Sequence, residues 1–371
     1  MIKSRSDVIM EQVDRLMRQA VSDDVFPGGV LLIAKDGTVI FHAAYGYANI
    51  FSKRPMTEDT IFDLASLTKP LATTLAVMKL VAQKKLGLGQ HLGQILNRFN
   101  CSEKARIRIE HLLYHNSGLP DYRPYYKRLI RLPEDQRKNA LRALLMQEPL
   151  IHPIGQETLY SDLGFMLLCW VVETASGMRL DRFVEKEIYD PLGLETLFFV
   201  DLNLEPQQLN FAATERCPWR NLLLTGLVHD ENAYVVGGIE GHAGLFGTAG
   251  DIHQLLKALQ SALTTEAANN LFEKEILQRF IKQNNNTQRA LGFDTPAASG
   301  ASCGRYFSKK SVGHLGFTGT SFWMDFEQRI IVILLTNRIH PSRDNDRIKH
   351  FRPILHDTIM ENIRNHDTVK G

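Results

Sequence analysis

Phe62-Asp63-Leu64-Ala65-Ser66-Leu67-Thr68-Lys69-Pro70 is the stretch that does most to determine the fold and the chemistry predicted for this chain. Apolar residues follow it at helical spacing, and Pro70, which has no amide hydrogen, fits only in the first turn of such a helix. Ser66 is therefore predicted at or just before a helix N-terminus, where free backbone amides and the positive end of the helix dipole meet. Lys69 is expected on the same face, so Ser66 is a candidate nucleophile with its own proton acceptor.

A structural interpretation of the same stretch stays open at this point. Ser-x-x-Lys is a short pattern, and a serine that caps a helix, followed by a surface lysine, would look the same. Other parts of the sequence are needed to decide between a nucleophile and a helix cap.

Composition and charge set the class of protein. The chain has 371 residues, 44% of them hydrophobic and 23% charged, which is typical of a soluble globular protein with two lobes or domains. A net charge of +2 does not favour nucleic acid or an anionic membrane as a partner. No apolar run approaches the length of a membrane span. No secretory signal is seen, so we expect a cytoplasmic location, or a periplasmic or extracellular one if a leader has been removed.

Cysteine and histidine spacing does not favour a metal site. The sequence has no Cys-x-x-Cys pair, which predicts reduced and mostly buried thiols. His111 and His115 are four residues apart and could face one metal ion, but without a pattern of acidic ligands a helix or loop role is favoured. The four scattered cysteines are Cys101, Cys169, Cys217 and Cys303.

The two ends of the chain carry matching secondary-structure signals. Between them, from about residue 66 to residue 236, the signals are mainly helical. We therefore predict an α/β (α+β) fold in which residues 1–65 and 237–371 form one antiparallel sheet flanked by helices, with a mainly helical domain over 66–236 inserted into it. The elements predicted at the ends are a helix over 7–22, strands over 30–34 and 38–47 around the turn Asp36-Gly37, strands over 320–325 and 329–337, and a helix over 343–364.

Two further stretches could complete a site around Ser66. A nucleophilic serine needs a base, an orienting group and an oxyanion hole, and the sequence has no Gly-x-Ser-x-Gly elbow. Tyr160-Ser161-Asp162 lies at the start of a predicted helix. His314-Leu315-Gly316 lies just before the paired C-terminal strands.

These three motifs occur in the order that is found in the serine penicillin-recognising family. The chain resembles the branch that contains class C β-lactamases, D-Ala-D-Ala carboxypeptidases, D-aminopeptidases and related esterases. The resemblance extends from about residue 10 to residue 360 and implies a β-lactamase/transpeptidase-like fold. Further segments of the sequence also resemble this branch of the family, at residues 26–29, 115–120, 241–246 and 291–294.

The resemblance implies a role for each matching residue. Ser66 would attack a carbonyl and become an acyl-enzyme. Lys69 and Tyr160 would handle its proton, and either of them could be the base. The backbone amides of Ser66 and Phe317 would form the oxyanion hole.

Two positions depart from the family pattern. Asp162 stands where the second motif usually has asparagine, and His314 stands where the third usually has lysine. With Gly316 they would form the substrate-binding and electrostatic part of the site, and both departures make it less positive, so we expect poor β-lactam hydrolysis. Each also has a structural interpretation: Asp162 could cap the following helix, Tyr160 could be a packed aromatic, and His314 could be a hydrogen-bonded histidine at a strand end. As a functional group, His314 would titrate near pH 6.5.

The sequence thus predicts a serine acyl hydrolase that needs no metal or organic cofactor. Its expected substrates are small esters, or amides of the D-amino-acid or muropeptide type. Two alternatives are a weak β-lactamase or D-Ala-D-Ala carboxypeptidase, and a non-catalytic relative that binds peptidoglycan fragments. The sequence does not indicate an oligomeric state. Three residues near the motifs, expected to shape loops, are His115, Ser117 and His242.

Overall fold

A six-stranded antiparallel sheet joins the two ends of the chain in the computed structural model, which describes residues 5–205, 208–264 and 271–367. The strands are β1 (Gly28–Lys35), β2 (Thr38–Asn49), β3 (Arg54–Pro55), β4 (Phe62–Asp63), β5 (Phe198–Phe199), β6 (Ala213–Cys217), β7 (Leu222–Thr225), β8 (Leu245–Gly247), β9 (Ser311–Leu315), β10 (Ser321–Asp325) and β11 (Ile330–Thr336). The sheet order is β3-β2-β1-β11-β10-β9, so N-terminal β1 pairs directly with C-terminal β11. Two smaller sheets have the orders β4-β8-β5 and β6-β7.

Helices cover the sheet and fill the region between the two chain ends. The α-helices are α1 (Arg5–Ser22), α2 (Leu75–Ala82), α3 (Leu92–Ile95), α4 (Ile109–Leu113), α5 (Tyr126–Leu129), α6 (Glu134–Gln147), α7 (Asp162–Ser176), α8 (Leu180–Val184), α9 (Asp190–Leu192), α10 (Glu231–Val235), α11 (Ala249–Thr264), α12 (Lys274–Ile281) and α13 (Ile348–Asp367). Short 3-10 helices lie at Ala65–Leu67, Asn97–Phe99 and Glu103–Arg106, and π-helical turns at Lys69–Thr74 and Glu185–Tyr189.

Both faces of β1 and β11, the two central strands of the large sheet, are buried. Val30 and Leu32 of β1 point into a core shared with α11 and the helical region. Leu31 and Ile33 point into a second core, which α1 and α13 cover. Because neither face meets water, β1 and β11 are continuous apolar runs rather than alternating ones.

The predicted architecture is confirmed. The hairpin at Asp36-Gly37 forms, β1 and β11 bring the two chain ends into one antiparallel sheet, and helices flank it. The domain boundaries at residues 66 and 236 stay a prediction, because one continuous core contains both sheet residues and residues of the helical region. No single helix within the described ranges is long and apolar enough to span a membrane. The helix α7 and the segment Leu180–Leu192 reach that length and apolarity only when they are taken together, and the chain bends sharply between them.

Local differences from the sequence predictions have identifiable causes. The apolar spacing after Ser66 predicts a helix over residues 71–86, but the helix begins as a π-helical turn and ends at Ala82, because Lys84 adopts a left-handed conformation. Residues 265–290 are polar and helical in pattern, which predicts helix there, but in the described part of this stretch only α12 forms, since the Asn284 side chain accepts backbone hydrogen bonds that close a turn. The sequence also does not show β9, whose Gly313 leaves room for the Trp323 ring on the neighbouring strand.

Candidate active site

Ser66 is presented on a tightly held turn. Ala65, just before it, has a φ of +47°, a left-handed conformation that costs energy for a residue with a side chain. The Asp63 carboxylate accepts the Ala65 amide at 2.9 Å, and the Thr68 hydroxyl donates to the Ala65 carbonyl at 2.6 Å. Ser66 itself is partly exposed and lies in the first turn of the 3-10 helix Ala65–Leu67, so its amide has no helical acceptor.

Lys69 is completely buried beside the Ser66 hydroxyl. Its Nζ donates to Ser66 Oγ at 3.0 Å and to the His242 carbonyl at 3.2 Å, and lies 2.7 Å from Asp162 Oδ1. Three oxygens therefore surround the ammonium group, and one of them belongs to a carboxylate. Burial opposes the charged form, but Asp162 and Tyr160 outweigh that effect and hold the pKa of Lys69 above its ordinary value.

Tyr160 completes the group around the serine. Lys69 Nζ lies 4.7 Å from the centre of its ring, and Lys69 and Ser66 both lie close enough to the phenol to affect its pKa. The His115 ring packs against it with centroids 4.5 Å apart. Burial raises the pKa of Tyr160, and Asp162 raises it further, whereas Lys69 acts in the opposite direction. Tyr160 therefore is not only a packed aromatic residue, because its ring lies beside Lys69.

Asp162 faces the lysine instead of capping α7. The N-cap of α7 is Ser161, whose Oγ accepts the Gly164 amide at 3.2 Å. Asp162 is the first residue of the helix, and its carboxylate forms an ion pair with Lys69. The structure thus favours the electrostatic interpretation of this residue.

His314 lies in β9 with its ring 5.9 Å from that of Tyr160. Burial is the main cause that lowers the pKa of His314 to about 4, and the charges of Lys69 and Arg289 add to it. The expectation of a titration near neutral pH is therefore wrong for this structure. Nδ1 lies 2.9 Å from the Leu315 carbonyl, which favours the tautomer with its proton on Nδ1 and leaves Nε2 as an acceptor.

The turn between β9 and β10, which contains Phe317, is hydrogen-bonded to the segment just before Ser66. The Thr318 hydroxyl donates to the Asp63 carbonyl at 2.7 Å, and the Thr320 hydroxyl donates to the Leu64 carbonyl at 3.1 Å. Gly316 makes this approach possible, because a Cβ there would lie 2.0 Å from Thr320 Oγ1 and 2.7 Å from the Leu64 carbonyl oxygen. The two segments that would supply the oxyanion-hole amides are thus fixed to each other.

Three charged residues at the site are absent from the sequence predictions. Asp63 lies in the stretch Phe62–Pro70, but no sequence pattern marks it as a site residue. Asp230 and Arg289 belong to none of the three motifs. Asp230 Oδ1 lies 2.9 Å from His242 Nε2 and accepts the Ala233 amide at 2.7 Å. Burial opposes a charged His242, but Asp230 raises its pKa, so a second buried ion pair supports the carbonyl that holds Lys69.

The histidines considered as metal ligands are used in the protein framework. His111 Nδ1 accepts the Arg108 amide at 3.1 Å, and His115 Nδ1 accepts the Ser161 amide at 2.9 Å, which orients the second motif. Across the described ranges, no three His, Cys, Asp or Glu side chains come together as ligands. The cysteines are unpaired, three of them buried and Cys101 exposed.

We predict that His314 stays neutral at physiological pH. Its imidazole C–H resonances in NMR spectra, assigned by their loss in His314→Gln, should not shift between pH 8 and pH 5.5 and should titrate only near a pKa of about 4. A midpoint near 6.5, with the protein still folded, would show that burial does not control this group.

Comparisons with known proteins agree with the geometry. The family model described as Beta-lactamase matches residues 13–353. An N-acetylmuramyl-L-alanine amidase of Bacillus subtilis (strain 168) is 33% identical over 365 residues, which covers 89% of this chain and 81% of that protein. A protein of Escherichia coli (strain K12) named "Putative D-alanyl-D-alanine carboxypeptidase" is 32% identical over 362 residues, covering 89% and 82%.

Solved structures share the fold over nearly the whole chain. EstCE1, a hydrolase with promiscuous acyltransferase activity, superposes with a TM-score of 0.73 at 25% identity, covering 94% of this chain and 99% of that one. The octameric penicillin-binding protein homologue from Pyrococcus abyssi also has a TM-score of 0.73, at 21% identity, covering 93% and 76%. With Lys69, Tyr160 and Asp162 gathered at Ser66, the chain belongs to the β-lactamase family and is a serine hydrolase.

Proposed function

We propose that this protein hydrolyses amides of the muropeptide or D-amino-acid type, and small activated esters, through an acyl-enzyme on Ser66. The observation that carries the proposal is the contact of the buried Lys69 ammonium with Ser66 Oγ, in a group that also contains Tyr160. The names of the amidase and carboxypeptidase relatives, which denote cleavage of amide bonds involving alanine, support the substrate class.

Acylation requires the Ser66 proton to leave as the Oγ–carbon bond forms. Oγ attacks the carbonyl carbon, the carbonyl electrons move to oxygen, and the amides of Ser66 and Phe317 stabilise that oxyanion. When the intermediate collapses, the departing nitrogen or oxygen takes the proton that Oγ lost. Water then attacks the acyl-enzyme by the same steps and releases the carboxylic acid.

Lys69 and Tyr160 move this proton as one coupled unit. In the resting state Lys69 donates to Oγ, so it stabilises a developing alkoxide and cannot accept the Oγ proton until it has lost one of its own. Tyr160 is close enough to both groups to exchange that proton. Because the raised pKa values of both residues favour their protonated forms, activity should increase toward alkaline pH.

A weak β-lactamase remains the second candidate, and the state of His314 argues against efficient turnover by it. A neutral imidazole at the third motif supplies no positive charge to an anionic β-lactam. The non-catalytic alternative does not account for the contact of Lys69 with Ser66.

Labelling should identify Ser66 as the nucleophile. Intact mass and tryptic mapping after treatment with a fluorophosphonate should show a single adduct on the peptide that contains Ser66. Ser66→Ala should fold normally, lose the adduct and reduce turnover of p-nitrophenyl butyrate by on the order of 10⁴-fold. Ser52→Ala, at an exposed serine, is the matched control and should behave as wild type. Retention of most activity by Ser66→Ala would exclude Ser66 as the nucleophile.

Removing the charge of Asp162 should shift the pH profile in one direction. Asp162 raises the pKa of both Lys69 and Tyr160, so Asp162→Asn should lower the pKa of whichever residue is the base. The base then loses its proton at lower pH, and the acid limb of kcat/KM moves to lower pH. The measurement is kcat/KM on one activated ester from pH 5 to 10.

Asp181→Asn provides the matched control, because Asp181 pairs with Arg179 away from the motifs. Its pH profile should not change. An acid limb of Asp162→Asn that stays in place, or moves to higher pH, would show that Asp162 is not coupled to the base.

A further inference from the structure

Arg352 is a buried arginine on α13 that has no acidic partner among the described residues. Its Nη2 donates to the Thr320 carbonyl at 2.8 Å, while its Nε is buried and finds no acceptor in the described ranges. Burial and the charge of Arg338 lower the pKa of Arg352 to about 9, so the guanidinium is still charged at neutral pH. A buried charge without a counter-ion opposes folding, so packing alone does not account for an arginine at this position.

The hydrogen bond of Arg352 connects α13 to the turn between β9 and β10, which contains Phe317. The Thr320 carbonyl, at the end of this turn, accepts the Gly316 amide at 2.7 Å in addition to Arg352 Nη2. The Gly316 carbonyl accepts the Gly319 amide at 3.1 Å. Because the carbonyl and the N–H of a trans peptide point in opposite directions, this bond turns the Phe317 amide away from the interior of the turn. Through Thr320, Arg352 is therefore connected to the glycine whose carbonyl shares a peptide group with the Phe317 amide.

Two guanidinium groups lie at the two ends of this turn. The Phe317 carbonyl accepts Arg338 Nε at 2.9 Å, and Arg338 Cζ lies 4.8 Å from the centre of the Phe317 ring. Arg352 lies at the other end, on the Thr320 carbonyl. Of the described acidic residues, Asp346 affects the pKa of Arg338, and none affects that of Arg352. The Phe317 amide, which donates to no described residue, therefore lies next to positive charge.

We propose that Arg352 is a positioning residue for the oxyanion: through Thr320 it fixes the turn that presents the Phe317 amide, and its charge favours the negative oxygen of the tetrahedral intermediate. A charge that is fixed in the protein interior acts more strongly than one in water and needs no rearrangement during the reaction. The inference rests on the proposed function, because the oxyanion forms only if Ser66 attacks a carbonyl. It assigns to this reaction a residue of α13, a helix that contains none of the three motifs.

The stability of Arg352→Met separates this role from a structural one. Methionine has a similar length but no charge, and the Thr320 carbonyl keeps the Gly316 amide as its donor, so this buried acceptor stays paired. Since the variant no longer buries a charge without a counter-ion, its Tm should be no lower than that of the wild type. An arginine that only held α13 against the sheet would give the opposite result, a clear decrease in Tm.

The activity of Arg352→Met should fall because the oxyanion is less stabilised. We expect kcat/KM for p-nitrophenyl butyrate to decrease by about tenfold, and the inhibition constant of propylboronic acid to increase by about the same factor. A boronic acid forms a tetrahedral, negatively charged adduct with a serine hydroxyl, so its affinity reports stabilisation of the oxyanion rather than binding of the ester in its ground state. Arg352→Lys retains the positive charge and should recover most of both quantities.

Arg347→Met is the matched control. Arg347 lies just before α13, and its Nη1 also donates to a backbone carbonyl, that of Asp23, at 2.7 Å in an exposed position. Because this contact is not part of the turn that contains Phe317, the control should keep the kcat/KM and the inhibition constant of the wild type.

The outcomes separate this inference from the proposed function. Arg352→Met with the kcat/KM and the inhibition constant of the wild type would overturn the inference. An Arg352→Met protein that unfolds at a clearly lower temperature, or does not fold, would also overturn it, because Arg352 would then be a structural residue of α13. A wild-type protein that neither hydrolyses the ester nor binds the boronic acid would instead overturn the proposed function, and this inference with it.

Discussion

The buried ion pair between Lys69 and Asp162 is the interaction on which the rest of the site depends. A fully buried ammonium is costly unless it is paired and hydrogen-bonded, and Asp162, His242 and Ser66 together supply three partners. The pair fixes Nζ beside the Ser66 hydroxyl and also raises the pKa of Lys69. The Asp162 carboxylate thus offsets the cost of burying the lysine ammonium. It also raises the pKa of Lys69, so the amine form that could act as a base appears only at higher pH.

A second constraint holds the turn that carries Ser66 in register with the turn that carries Phe317. Asp63 accepts the Ala65 amide through one carboxylate oxygen and the His229 amide, at 2.6 Å, through the other. Its backbone carbonyl accepts the Thr318 hydroxyl. One buried residue therefore connects the strained turn before Ser66, the segment before α10 and the turn that carries Phe317. Strain at Ala65 is tolerated because contacts from several segments over-determine it.

The sequence predicted much of this arrangement, and the failures have physical reasons. The apolar runs of β1 and β11 and the hairpin at Asp36-Gly37 determined the sheet, and three ordered motifs named Ser66, Lys69 and Tyr160 as candidates, which the structure brings together. Sequence reasoning could not show that burial removes the titration of His314 from the neutral range, since burial is a tertiary property. Arg289 was missed because its stretch is polar and helical in pattern, whereas the Asn284 side chain closes a turn there. The partner of Asp162 likewise depends on a contact between residues that are distant in the chain.

The central claim is that Lys69 is an ammonium in the resting enzyme. A pH titration of the Lys69 Cε resonance tests it most directly, in protein that carries ¹³C-labelled lysine and with the resonance assigned by its loss in Lys69→Arg. We expect the resonance to keep its ammonium shift through neutral pH and to titrate only above the ordinary lysine value of 10.5. A titration midpoint near or below neutral pH in the folded protein would contradict it, because Lys69 would then be a free amine and Asp162 would not control it.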